Sequence, residues 1–365
     1  MSGSWVVGIR GGVDIDTGAA NLNGKTLMKA MVLRGPRELG VADVERPALG
    51  YNQVLIRVTH SGVCGTDLHI YEGDIPVRHP LIMGHEMIGE VVDGGDAALP
   101  KGTRVIVDPA LYCGMCLNCR TGQTNLCPNG SLVGRDSDGG FADYLVAPRS
   151  HVYVLPDSID SAVAPLLQPV TTCVHGQQRL KTFPGQSVAV IGLGVTGQVH
   201  VELAKSWGAH PVIGVTRSAY KRQLAEKLGA DLTVSSGADA IQKVKEATGG
   251  QGADIVIECT GVPAALADAI HMARLGGSLL LFGITSATQA SLPFYQLYYK
   301  ELNVVNTRAA KGEDYPPSID LVARGVLKLE PLVTHVIPLL DLERAIGMLA
   351  SDEDQRMKII LENPR

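Results

Sequence analysis

The sequence feature that most constrains this fold is a glycine-rich loop between a short apolar strand and an apolar-periodic helix. Residues 192–197 read GLGVTG, directly after the run SVAVI and before the run QVHVELAKSWGA. In such a unit the first glycine permits a tight turn, the second lets the backbone approach a pyrophosphate, and the third allows close helix–strand packing. A tight turn without a ligand is the alternative reading. The pattern favours a dinucleotide site formed by Gly192, Gly194, Val195 and Gly197.

The segments on either side of this loop follow two different patterns. After about residue 182, strand and helix patterns alternate, which predicts a parallel doubly wound sheet. From about residue 28 to residue 156, short β-rich runs alternate with glycine and proline, which predicts an all-β domain with long loops. The predicted class is α/β. The predicted domains are a β-rich domain over 1–176 that includes an N-terminal extension at 1–27, a dinucleotide-binding domain over 177–307, and a return to the first domain over 308–365.

Composition excludes several classes of partner. The chain has 365 residues, 45% of them apolar and 19% charged, with a formal net charge of -5. A negative net charge gives no broad positive field for nucleic acid or anionic lipid, and no apolar run approaches the roughly 18 residues of a membrane span. We therefore expect a cytoplasmic protein that acts on small molecules, with neither a nucleic-acid nor a membrane partner.

Four of the seven cysteines lie in one short segment, CGMCLNCRTGQTNLC. The C-x-x-C-x-x-C-x7-C spacing lets successive sulfurs face a common point, and four thiolates complete the tetrahedral shell of one zinc ion. Disulfides and an iron–sulfur cluster are the alternatives. Because no ligand position is left open, we predict a structural zinc site formed by Cys113, Cys116, Cys119 and Cys127.

The end of the second strand of the parallel sheet predicts the type of dinucleotide. An NAD site carries an acidic residue there for the ribose 2′-hydroxyl, whereas this chain has Thr216 and Arg217. A hydroxyl and a guanidinium can bind a 2′-phosphate, with Ser218, Lys221 and Arg222 as helpers. The sequence therefore predicts NADP, with NAD as the second choice and a solvated surface Arg217 as the alternative.

Two upstream motifs complete a recognisable order. CGTDLH begins at Cys64 and GHEMIG begins at Gly84, and both precede the four-cysteine segment and the glycine loop. This order, from about Met28 to the C-terminus, resembles the zinc-containing medium-chain dehydrogenase/reductase family of alcohol, polyol and sugar dehydrogenases. The resemblance implies a GroES-like β-rich catalytic domain, a Rossmann cofactor domain, and a homodimer or homotetramer formed through the cofactor domain.

The resemblance also implies a catalytic zinc site. Cys64 and His85 match zinc ligands of the family, and Glu86 matches a carboxylate beside the metal that serves in some members as a direct ligand. Asp67 matches the residue that accepts the other N–H of the zinc-bound histidine, which fixes its tautomer. Thiolate and imidazole are ligands that zinc prefers, and a catalytic site keeps one position open for substrate.

The third zinc ligand is the unusual position. PLLQPV matches the segment that supplies an acidic ligand in polyol and sugar dehydrogenases, and Gln168 stands at that place. Its amide oxygen can bind zinc directly or through a water molecule, or the side chain can simply pack. If a helix begins at Pro169, Cys173 lies roughly 140° around the axis from Gln168, so both cannot face one zinc, and Cys173 is predicted to be a core thiol.

The resemblance assigns the remaining roles and the reaction. Thr66 and His69 match a proton relay to solvent, and Thr172 matches a residue near the nicotinamide. The chain is therefore predicted to bind two zinc ions and to transfer hydride reversibly between an alcohol, polyol or sugar hydroxyl and NADP. The alternatives are an NADPH-binding sensor or scaffold that has lost its catalytic zinc, and a zinc-independent NADPH reductase of enones or quinones.

Overall fold

The computed structural model describes residues 26–351 and 355–364. Nearly all of the predicted N-terminal extension lies outside the described residues. The first part of the described chain is rich in strands, in the order β1 (Leu27–Leu33), β2 (Leu39–Glu45), β3 (Gln53–Val63), α1 (Gly65–Glu72), β4 (Leu81–Ile82), β5 (Glu86–Asp93), β6 (Arg104–Val107), β7 (Ala110–Leu111), α2 (Leu117–Arg120), β8 (Ser131–Leu132), β9 (Tyr144–Pro148) and β10 (Val152–Val154).

Helices and strands then alternate. They are α3 (Leu167–Gln178), β11 (Val188–Ile191), α4 (Val195–Ser206), β12 (Val212–Val215), α5 (Ala219–Lys227), β13 (Leu232–Val234), α6 (Ala240–Ala247), β14 (Ala253–Glu258), α7 (Pro263–Met272), β15 (Ala273–Leu281), α8 (Phe294–Tyr299) and β16 (Asn303–Asn306). The chain ends with α9 (Tyr315–Ala323), β17 (Val333–Pro338), α10 (Leu342–Ala350) and β18 (Lys358–Glu362). Every helix in the described ranges is too short or too polar to traverse a lipid bilayer.

Strand β3 is the centre of the β-rich part. It pairs antiparallel with β5 along one edge, and with β9 and then β18 along the other, within a seven-stranded sheet of order β10-β6-β5-β3-β18-β17 plus β9. Its long apolar run is largely buried, as expected for a strand covered on both faces. Because β17 and β18 join this sheet, the end of the chain returns to the β-rich part; the predicted domain limits themselves stay a prediction.

The second sheet is parallel and doubly wound. Its strand order is β13-β12-β11-β14-β15-β16, the Rossmann arrangement with the order reversing between β11 and β14. Residues of β11 alternate between the faces: Ala189 and Ile191 pack with α6 and α7, whereas Val188 and Val190 pack with α4 and α5. The predicted α/β class, with a GroES-like β-rich part and a Rossmann sheet, is confirmed.

Helix α3 leads from the β-rich part to the parallel sheet. It begins at Leu167, two residues before Pro169, because a 3₁₀ turn over Ala164–Leu166 runs directly into it. Pro169 is tolerated since the first N–H groups of a helix have no intrahelical partner. The expected start at Pro169 was therefore wrong by two residues, and Gln168 lies in the first turn of the helix.

Candidate active site

Three potential metal ligands converge where strands of the seven-stranded sheet begin or end. Cys64 directly follows β3, His85 directly precedes β5, and Glu86 is the first residue of β5. Their sulfur, imidazole nitrogen and carboxylate oxygen all lie within 4.8 Å of one another. The pairing of β3 with β5, with Gly62 opposite Glu86, brings the two motifs together. Sequence reasoning predicted this convergence.

Asp67 orders the cluster from α1. One of its carboxylate oxygens accepts a hydrogen bond from the backbone N–H of Cys64 at 2.8 Å, and the other lies 3.5 Å from Nδ1 of His85. Burial lowers the pKa of His85, but the Asp67 carboxylate and the Cys64 sulfur outweigh burial and raise it well above its ordinary value. The field at the imidazole therefore favours positive charge.

A lysine that the sequence analysis missed also belongs to this cluster. The ammonium group of Lys358, at the start of β18, forms an ion pair with the Glu86 carboxylate, and both side chains are buried. Burial lowers the pKa of Lys358, but Glu86, Cys64 and Asp67 together outweigh burial and raise it. The only sequence signal was a single lysine opening the apolar run KIIL.

The charges of the cluster fit a divalent cation. With Cys64 as thiolate, the carboxylates of Asp67 and Glu86 bring the negative charges to three, and Lys358 compensates one of them. One divalent cation compensates the remaining two. Buried charges need such compensation, and a soft thiolate with an imidazole is a donor set that zinc prefers. Cys64 and His85 could thus hold zinc, with Glu86 within reach.

Gln168 lies in the first turn of α3. The helix contacts β5, and the Gln168 side chain is half-buried and forms no hydrogen bond with any described residue. Its backbone carbonyl accepts a hydrogen bond from the Thr171 hydroxyl at 2.6 Å. Thr172 donates its hydroxyl to the Pro169 carbonyl at 2.7 Å. The amide of Gln168 therefore keeps its donor and acceptor free for a ligand.

The two residues of the predicted proton relay are not in contact. The Thr66 hydroxyl oxygen lies 3.8 Å from the Cys64 sulfur. The His69 ring is exposed, and its Nδ1 lies 3.0 Å from a carboxylate oxygen of Asp74. No hydrogen bond joins Thr66 to His69 within the described ranges, so Asp74 is the direct partner of the histidine.

The four-cysteine segment forms a second cluster. Neighbouring sulfurs lie 3.4–4.0 Å apart, and none of the four cysteines is in a disulfide. Backbone N–H groups of Met115 and Cys116 lower the pKa of Cys113 to about 6, whereas burial and the neighbouring thiols raise that of Cys119 to about 12. Four sulfurs this close cannot all ionise without a cation between them, and zinc matches that demand.

The glycine loop has the geometry expected for a dinucleotide. Gly192 has φ +88°. Gly197 lies so close to Gly192 that a Cβ added to Gly197 would lie 1.9 Å from the Gly192 carbonyl oxygen. An added Cβ on Gly194 would meet no protein atom within 4 Å. The space above Gly194, at the first residue Val195 of α4, is therefore free for a ligand.

The residues after β12 are those predicted to bind the 2′-phosphate of the cofactor. Arg217 is exposed, and its side chain has no hydrogen-bond or ion-pair partner among described residues. Arg222 instead donates to the backbone carbonyls of Thr216 and Arg217, at 3.0 and 2.7 Å. Ser218 caps α5 by accepting from the Lys221 N–H. Arg222 thus supports the loop from which Arg217 projects.

Helix α3 connects these sites. Its Cys173 is buried, as predicted, and its thiol lies 3.7 Å from the Thr196 carbonyl of the glycine loop. Farther along, His175 lies 3.0 Å from Asp314 and 3.2 Å from Asn125 of the four-cysteine segment. Sequence reasoning missed this second connection because its members share no motif.

Two family models match this chain. Residues 50–157 match the alcohol dehydrogenase GroES-like domain, and residues 195–324 match the zinc-binding dehydrogenase model. The sorbitol dehydrogenase of Bacillus subtilis (strain 168) is 30% identical over 92% of this chain and 97% of its own length.

Solved structures of dehydrogenases are also similar to this chain in sequence and fold. A zinc-binding dehydrogenase from Sinorhizobium meliloti 1021 bound to NADP is 31% identical, with a TM-score of 0.87 over 93% of this chain and 100% of that chain. An E. coli CFT073 dehydrogenase complexed with NADH is 27% identical, with a TM-score of 0.86 over 92% and 99%. Fold, motifs and full-length similarity together show that this chain belongs to the zinc-type medium-chain dehydrogenase family.

Proposed function

We propose that this chain is a zinc-dependent dehydrogenase that transfers hydride reversibly between an alcohol, polyol or sugar hydroxyl and NADP. The observation that carries the proposal is the path of α3. The helix contacts strand β5, which begins at Glu86 of the Cys64 cluster, and its Cys173 thiol lies 3.7 Å from a carbonyl of the glycine loop. One rigid helix thus adjoins both the candidate metal ligands and the candidate cofactor site. The polyol dehydrogenases among the relatives support the substrate class.

The mechanism assigns each residue a task. Cys64 and His85 hold the metal, Asp67 orients the imidazole, and Gln168 or Glu86 completes the site. When bound, zinc supplies a Lewis acid that lowers the pKa of the substrate hydroxyl, and the nicotinamide accepts the hydride. Thr66 Oγ1 would accept the hydroxyl proton while it passes its own proton to a bridging water, and His69, held by Asp74, would take a proton from that water and release it to solvent. Thr172 lines the nicotinamide side.

Metal content and a substrate panel test the proposal. We expect about two zinc ions per purified chain, and activity on polyols, aldoses or simple alcohols that is lost when the more labile zinc is removed. One zinc per chain, with NADPH binding but no turnover, would support a sensor or scaffold. Activity that survives both chelation and Cys64→Ala would support a zinc-independent reductase.

The cofactor preference rests on Thr216 and Arg217. Replacing the unpartnered Arg217 by alanine removes the charge available to a 2′-phosphate, so KM for NADP should rise at least about tenfold. KM for NAD, measured on the same preparation, is the internal control and should change little. Equal effects on both cofactors, or none, would contradict the assignment to the 2′-phosphate.

We also propose a homodimer or homotetramer formed through the cofactor domain. Strand β16 ends the parallel sheet, and no described strand pairs with its outer edge. Helix α8, which precedes β16 in the chain, exposes four aromatic side chains, Phe294, Tyr295, Tyr298 and Tyr299. Edges and apolar patches of this kind bind a second copy readily. Light scattering should give a multiple of 38.6 kDa, reduced by Val304→Glu; a monomeric wild-type chain would refute the proposal.

The cysteines support a cytoplasmic location. All seven are unpaired, and the five that belong to the two candidate metal clusters need to be reduced to bind a metal. Fractionation of cells that express the full chain tests this location directly.

A further inference from the structure

The Lys358–Glu86 pair occupies a place that the backbone leaves open for it. Gly62 on β3 lies between β5 and β18, opposite Glu86 on one side and Ile360 on the other. An added Cβ on Gly62 would lie 2.1 Å from a carboxylate oxygen of Glu86 and 2.9 Å from Cε of Lys358. The pair therefore sits directly over the glycine, and its geometry depends on three strands.

Glu86 has two competing partners. Its carboxylate belongs to the cluster with Cys64 and His85, whose ligand atoms lie within 4.8 Å, and it also forms the buried ion pair with Lys358. A carboxylate neutralised by an ammonium group is a weaker donor to a cation than a free carboxylate. Because both side chains are buried, solvent does not screen this competition.

We propose that Lys358 is a positioning residue that restrains Glu86 and thereby sets how tightly the Cys64–His85 site holds its metal. The inference rests on the proposed function, because it requires zinc at that site. Lys358 keeps Glu86 as a nearby charge rather than a permanent ligand, which leaves a metal position for the substrate. Since Gln168 brings no charge, Glu86 is the acidic group whose availability matters most here.

The rate of zinc release tests the proposal. Lys358→Met keeps the length and apolar stem of the side chain but removes its charge, so Glu86 can bind the metal. We expect zinc release from the more labile site to a chromophoric chelator to slow about tenfold, the usual scale for changes in groups that hold metal ligands. Zinc held by the four-cysteine cluster in the same sample is the internal reference and should be released at an unchanged rate.

A double-mutant cycle separates restraint of Glu86 from a general charge effect. In a Glu86→Gln background, Lys358→Met should change the release rate less than about twofold, because the carboxylate is gone. Lys358→Arg, which preserves the ion pair, should release zinc from the more labile site at the wild-type rate. If Lys358→Met does not fold, Lys358→Gln removes the same charge and should slow release in the same direction.

Three results would overturn the inference: an unchanged or faster release rate in the neutral variants, an undiminished effect in the Glu86→Gln background, or no rescue by arginine. Failure of the proposed function has a different signature. In that case the wild-type chain itself would carry a single zinc, at the four-cysteine cluster, before any substitution is made.

Discussion

The two candidate metal clusters of this chain are built in opposite ways. The four cysteines of the first lie between Cys113 and Cys127, so a single loop brings their sulfurs together. The second joins residues from the ends of β3, β5 and β18, with Cys64 and Lys358 at its extremes. Closing a short loop costs little entropy, whereas the second cluster forms only after three strands have paired.

This difference predicts that the two clusters have different roles. A local cluster with four thiolates leaves no open position and can order a loop whose large apolar side chains, Met115, Leu117 and Leu126, are exposed. A cluster held by a prefolded sheet can keep strained or open ligand positions, because the sheet maintains its geometry without the metal. We therefore expect the first cluster to control stability and the second to control chemistry.

The largest expected effect tests the second cluster. Cys64→Ser should lower kcat/KM at least about a thousandfold, because the metal supplies several kcal/mol of transition-state stabilisation. Stability should change little, since Cys64 occupies the N-cap of α1 and serine is a preferred N-cap residue. Thermal unfolding and zinc content are measured together. A large loss of stability with retained turnover would reverse the comparison.

The next effect tests the four-cysteine cluster. Cys116→Ser should lower the free energy of unfolding by at least about 3 kcal/mol, a fraction of what a structural zinc contributes to folding. Turnover per folded, zinc-loaded molecule should change less than about twofold. Denaturant unfolding and active-site titration give the two numbers. If turnover falls while stability holds, this loop takes part in the chemistry.

A smaller effect concerns the neutral ligand candidate. Gln168→Glu should slow zinc release from the labile site about tenfold, because a carboxylate binds the cation more strongly than an amide. Chelator dialysis followed by metal analysis measures this. Gln178→Glu, at the exposed last residue of α3, is the control for added charge on the same helix. Equal zinc loss from wild type and Gln168→Glu would show that this side chain does not reach the metal.

The smallest effect asks whether the two clusters are independent. Asn125 donates to the Arg308 carbonyl at 2.8 Å and contacts His175 of α3. Asn125→Ala should lower the free energy of unfolding by about 1 kcal/mol and raise KM for the cofactor a few-fold, because α3 loses its contact with the Asn125 side chain. Denaturant unfolding and steady-state kinetics measure the two effects. Asn118→Ala is the matched control, since Asn118 bonds only within its own loop, to the Leu126 carbonyl. If Asn125→Ala and Asn118→Ala have the same stability and the same KM for the cofactor, the four-cysteine loop and the second cluster act separately.

The sequence alone determined the features that depend on local spacing. The alternating strand and helix patterns after about residue 182 predicted the parallel sheet, and the glycine loop after SVAVI predicted a dinucleotide site, because both patterns follow directly from helix and strand geometry. The four-cysteine spacing predicted a local thiol cluster, because two-residue spacers let successive sulfurs face a common point. The resemblance to the family added the convergence of Cys64 and His85, which the pairing of β3 with β5 explains.

Only the tertiary structure decided which distant side chains share a buried space. Lys358 reaches Glu86 because β18 pairs with β3, and Asn125 reaches His175 because a loop of the β-rich part lies against α3. No local period records such pairings, since a single lysine or asparagine has the same sequence surroundings whether it faces solvent or a buried carboxylate. Burial removes the solvent that would screen the Lys358–Glu86 pair, and burial is a property of the assembled sheet.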